Sequence, residues 1–95
     1  MNIINLAIQA LPFSEKQDKI AIIDEAIKVI EQSGLKYVVC PFETVVEGEY
    51  SLVMKLVTDL KEKCFQAGAD ELIINMKLHA KKDGDTFIND KLEKY

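Results

Sequence analysis

Apolar and polar positions alternate from Asn2 to Leu11. Ile4, Leu6, Ile8 and Ala10 fall on one side and Ile3, Asn5, Ala7, Gln9 and Leu11 on the other, which predicts a strand with the first set buried. Pro12 is expected to end it. After the polar run Ser14 to Asp18, Ile20, Ile23, Ile27 and Ile30 recur at helical spacing, and Gly34 stands where a helix end needs a left-handed residue. Short β-branched runs then predict strands over about Tyr37 to Cys40 and Glu43 to Glu47, folded back around Pro41. Beyond Gly48 a second helical stripe, Tyr50, Val53, Val57, Leu60 and Cys64, stops at Gly68. From Glu71 to about Ala80 the alternation returns, with Leu72, Ile74, Met76 and Leu78 set against Ile73, Asn75, Lys77 and His79. The run Lys81 to Asp85 reads as a solvated turn. Thr86 is then placed to cap a short terminal helix showing Ile88, Leu92 and Tyr95.

The order βαββαβ plus a tail predicts an α+β, ferredoxin-like sandwich. Right-handed crossovers put both helices on one face of a four-stranded antiparallel sheet of order 4-1-3-2. With 95 residues the chain builds one core, so residues 1–95 are expected to form a single domain. The face without helices would show Ile3, Leu11, Val45 and Ile73 among Asn5, Gln9, Glu47, Asn75 and Lys77. A half-apolar open face marks a contact surface, so a homo-oligomer packed sheet on sheet is expected.

Charge narrows the partners. The net charge is −4, and all twelve basic residues are lysines. Arginine is the usual fork for phosphate and guanine, so its absence argues against nucleic acid and against a phosphate clamp. RNA-binding sheets of this topology carry exposed aromatics on the central strands, where this chain has Asn5, Ala7, Gln9, Val45 and Glu47. A soft-metal chaperone needs a C-x-x-C after the first strand, and Leu11-Pro12-Phe13-Ser14 stands there. Cys40 and Cys64 form no such pair and read as two small thiols, so neither a disulfide nor a metal site is expected. No stretch approaches the roughly 20 apolar residues of a membrane span, and no basic leader precedes Asn2, so a cytoplasmic location is expected.

Among candidate chemistry, Glu47 stands out as a carboxylate on a sheet surface among valines. It pairs with Lys77 or water, or it joins Gln9, Asn5 and Asn75 in a patch suited to a planar heterocycle with an exocyclic amine. Glu49 suits the positive end of the second helix, an effect of roughly 0.3–1 kcal/mol. His79 reads as a surface or interface residue, and Ser14 and Ser51 as helix-start residues. No base–nucleophile pair and no cofactor site can be assembled, so no enzymatic activity is expected.

The segment Gly34-Leu35-Lys36-Tyr37, then Pro41, Thr44 and Glu47-Gly48-Glu49, with a following helix ending Gln66-Ala67-Gly68-Ala69, resembles the small thiamine-binding proteins related to YkoF. The most specific part is the Tyr-x-x-x-Pro-x-x-Thr-x-x-Glu-Gly-Glu spacing, and the likeness runs over about residues 3 to 95. It implies a tetramer that binds thiamine or its hydroxymethylpyrimidine moiety without chemistry. By that motif Glu47 would bond the aminopyrimidine and Thr44 would supply a hydroxyl. Tyr37, Cys40 and Phe42 would shape the wall, while Gln9 and Asn75 enter from strand parity alone. Relatives often carry a small residue at position 40 and less bulk at position 42, so a narrower pocket that takes only the pyrimidine is one consequence. The rival expectation is a regulatory or scaffolding module that uses its open sheet for assembly.

Overall fold

A computed structural model describes residues 2–94, so Tyr95, the last position of the expected terminal stripe, lies outside the described residues. Strand β1 (Ile3–Phe13) is followed by helix α1 (Lys19–Gln32), the hairpin β2 (Lys36–Val39) and β3 (Thr44–Glu49), and helix α2 (Tyr50–Gln66). Strand β4 (Glu71–His79) and the short helix α3 (Ile88–Lys94) complete the chain. The sheet order is β2-β3-β1-β4 and every pairing is antiparallel, as the sequence pattern implies. One core lies between the sheet and helices α1 and α2. Leu6, Val46, Ile22, Val53, Leu60 and Cys64 are its most deeply buried members, and fully burying each large aliphatic side chain is worth roughly 1.5–3 kcal/mol.

Several local features depart from the sequence pattern, among them Tyr50, Met76 and Leu78, which are exposed. Strand β1 runs through Pro12 to Phe13 instead of stopping. The Ile3 carbonyl accepts from Thr86 N–H at 2.9 Å and the Phe13 carbonyl from Asp70 N–H at 2.7 Å, both on the β4 side. Because amide directions alternate along an antiparallel strand, odd residues of β1 address β4 and even residues address β3. Pro12 therefore faces the β3 side at a level β3 does not reach, and its missing N–H breaks no ladder bond.

Helix α1 is also rotated from the expected stripe. Ile22, Ala26 and Ile30 are buried against the sheet, Ile23 and Ile27 flank them half-buried, and Ile20 is 64% exposed. Asp18 begins the helix, accepting from Ile20 N–H at 3.1 Å as the N-cap. Thr86, finally, does not cap α3, since its hydroxyl donates to the Ile3 and His79 carbonyls at 3.3 Å. Gly34, with φ of +80°, does end α1 in the left-handed conformation that glycine tolerates.

Candidate ligand-binding site

The strands are unequal, and their mismatch makes a site. Strand β1 pairs with β4 as far as Phe13↔Glu71, but with β3 only as far as Ile8↔Thr44. The hairpin turn closes early, with Cys40 N–H donating to the Glu43 carbonyl at 2.9 Å. One corner of the sheet is therefore missing. The resulting cleft, of about 300 Å³, is bounded by β1 from Ile8 to Leu11, by the hairpin tip from Val39 to Thr44, and by Ile23 and Ile27 of α1. Its size sits at the lower end of the range for small-molecule sites, roughly 300–1,000 Å³.

The walls are mostly apolar with a few polar groups, as small-ligand sites are. Thr44, only 7% exposed, lines the cleft, and its hydroxyl has no partner among the described residues. Phe42 projects from the hairpin tip at the lip of the cleft and is 83% exposed. Cys40 is half-buried in the wall. Glu43 stands at the rim, where Lys77 pairs with it at 3.2 Å.

Of the residues singled out in the sequence, the cleft gathers Gln9, Cys40, Phe42 and Thr44. Tyr37, Glu47 and Asn75 lie elsewhere. Tyr37 sits on the edge strand opposite Val46. Asn75 faces Gln9 across the β1–β4 ladder and donates to its side-chain oxygen at 3.3 Å. Glu47 is engaged at the far end of the sheet, where Ile88 N–H, the first of α3, donates to its Oε1 at 2.6 Å. The pairing with Lys77 weighed for Glu47 is replaced by the Lys77–Glu43 pair.

A second polar residue of the open face shares that duty. Asn5, 3% exposed, donates to the Thr86 carbonyl at 3.1 Å and accepts from the Lys91 ammonium. Lys36 adds a bond to Asn89 at 2.8 Å. Asn5 and Glu47 thus hold the C-terminal segment over one end of the open face. Glu47→Gln is expected to cost about 0.5–1.5 kcal/mol of stability in urea denaturation, because a neutral amide oxygen accepts the Ile88 N–H less strongly.

What sequence reading missed is Ala10, together with the α1 contribution of Ile23 and Ile27 to the wall. The signal was present in the strand lengths, since a first strand of about ten residues cannot be paired to its end by a hairpin of half that length.

The comparisons with known proteins bear on what such a cleft holds. A protein-family model described as thiamine-binding protein matches residues 6–95, a span that contains the cleft and the docked α3. The chain belongs to the thiamine-binding protein family. Its similarity to the UPF0045 protein of Clostridium perfringens is 34% identity over 95 residues, covering 100% of this chain and 99% of the relative. Among solved structures, a domain of unknown function (DUF77) from Bacillus cereus superposes with a TM-score of 0.95 at 31% identity, covering 99% of this chain and 90% of that one. A protein of Thermotoga maritima described as a candidate for thiamine biosynthesis or salvage matches with a TM-score of 0.87 at 31% identity, covering 98% of each chain. Within the thiamine-binding family, then, this chain carries its free hydroxyl and exposed aromatic on the hairpin wall of one cleft, with Thr44 inside and Phe42 at the lip.

Proposed function

We propose that the protein binds thiamine, or its hydroxymethylpyrimidine moiety, in the corner cleft and carries out no chemistry on it. The observation that carries this reading is Thr44, 7% exposed as a residue, whose hydroxyl stands unpartnered toward an apolar cleft of about 300 Å³. That volume suits a single heterocycle, with any further ring of the ligand held under Phe42 or in solvent. The thiazolium cation of thiamine would lie near Glu43, whose pairing with Lys77 is exposed on the lysine side and therefore readily exchanged. The lone histidine, His79, is opposite Asn5 at the other end of β1, away from a bound ligand. No helix among the described residues is long and apolar enough to cross a membrane. The ligand role as proposed is cytoplasmic.

The cysteines provide the test. Cys64 is fully buried, and burial pushes its thiol above the ordinary range, so it stays protonated and unreactive near neutral pH. Cys40 is accessible in the cleft wall. Alkylation of the folded protein should label Cys40 alone, and millimolar thiamine or hydroxymethylpyrimidine should slow that labelling severalfold while calorimetry records binding. If neither compound gives heat or protection, the ligand reading is lost.

A second reading, assembly through the open sheet, is favoured by one observation. The half of that face not covered by α3 exposes Leu11, Phe13 and Ile73. The two readings are compatible if the protein is a homo-oligomer, and a tetramer would cover this face. Light scattering at micromolar concentration measures it, and a monomeric mass would count against assembly.

A further inference from the structure

The missing corner of the sheet leaves one residue of the cleft wall with its whole backbone unspent. Even residues of β1 direct their amides toward β3, and Ile8 meets Thr44 there. The orientation is fixed independently by the hairpin, because the Glu43 carbonyl turns toward Cys40 and so leaves Thr44 facing β1. The next position on that ladder is Ala10, opposite Phe42. The chain bends away at Phe42, and no bond joins the two residues. Ala10 therefore presents one N–H donor and one C=O acceptor, side by side, into the cleft it lines. A buried or half-buried backbone amide without a partner is rare, since leaving it unpaired has a free-energy cost comparable to a lost hydrogen bond.

We propose that the Ala10 backbone is the recognition element of the site. It pairs in two-point fashion with a planar heterocycle that carries a ring nitrogen acceptor next to an exocyclic amino donor. The ring nitrogen accepts from Ala10 N–H and the amino group donates to Ala10 C=O, completing the ladder position that the hairpin vacates. The inference rests on the ligand reading above and deepens it by naming the atoms that select the ligand. It also says what is rejected. Exchanging the amino group for an oxo group turns the ring nitrogen into a donor and the substituent into an acceptor, so both contacts become donor against donor and acceptor against acceptor.

A β-strand is the obvious rival for a free sheet edge, but this edge is poorly suited to one. Beyond Ala10 the next residue on the same side is Pro12, which has a carbonyl and no N–H. The hairpin tip also closes the approach from the Thr44 side. An incoming strand would gain a single complete residue pair, which is what a small heterocycle needs and less than a strand needs.

The test uses the full chain labelled with 15N-alanine, titrated with 4-amino-5-hydroxymethyl-2-methylpyrimidine and, separately, with its 4-oxo counterpart. Ala10 N–H should move downfield and exchange more slowly with the amino compound. Ala7, whose amide is committed to the β4 side, should hold its position. Calorimetry should find the oxo compound bound about a hundredfold more weakly. Binding of the amino compound with Ala10 unmoved, or equal affinity for both compounds, overturns the role of Ala10 and leaves the ligand reading standing. Failure of both compounds to bind at millimolar concentration overturns the ligand reading and this inference with it.

Discussion

Ile27→Trp is expected to abolish ligand uptake, with an affinity loss of at least about a hundredfold, in a protein that still folds. Ile27 is half-buried on the side of α1 that faces the cleft, and its neighbour along the helix face, Ile23, lines the same wall. The indole added there takes up much of a 300 Å³ space, so the ligand and the side chain compete for one volume. Losing a bound heterocycle outright removes the whole of its apolar burial, where Thr44→Val would remove only one hydroxyl contact. The larger side chain at a half-buried position should cost the fold about 1–3 kcal/mol. Calorimetry measures the first effect and a thermal melt the second. Undiminished affinity in a folded Ile27→Trp protein would place the ligand outside the corner cleft.

The second large effect concerns stability. Asn5→Leu keeps the branched shape of the side chain, with bulkier methyl groups, but removes both its donor and its acceptor at a site that is 3% exposed. The Thr86 carbonyl and the Lys91 ammonium each lose a partner. A buried polar group left unpaired costs about 1–3 kcal/mol, and an ammonium costs more than a carbonyl. Lys91 recovers part of its share by turning to water, since α3 lies at the surface. The net expectation is a loss of about 2–4 kcal/mol in urea denaturation, with amides of α3 exchanging early while those of β1 and β3 remain protected. A loss below about 0.5 kcal/mol would show that Asn5 carries little of the attachment.

Much of the fold could be read from periodicity because β1, β3 and the two long helices each bury one face. The alternation of Ile4, Leu6, Ile8 and Ala10 placed β1 correctly, and the parity of Asn5, Gln9, Glu47 and Asn75 on the open face was also correct. Parity assigns a side chain to a face and says nothing about position along it. Asn5 and Glu47 therefore appeared to join Gln9 and Asn75 in one patch, although α3 claims the first two and the second two bond each other. The contacts with α3 connect residues more than forty positions apart in the chain, and no local pattern announces them. Ala10 was invisible for another reason. Its contribution is made by backbone atoms, which every residue but proline shares, so only the strand it fails to pair with reveals it. The extension of β1 through Pro12 follows the same logic, since a proline ends a strand only where its absent N–H is needed.

Where the attachments of α3 lie along the chain also sets an order of events during synthesis. The cleft is lined by residues between Ile8 and Leu60, all made before β4 emerges. Asn5 and Glu47 acquire their partners only when Thr86, Ile88 and Lys91 have followed. A nascent chain stalled after β4 would hold the cleft walls and the complete four-stranded sheet, yet would still carry a carboxylate and an amide uncovered on its open face. That face reaches its final polarity last, so premature sheet-to-sheet contact between growing chains would meet polar groups at this end until the closing residues are in place.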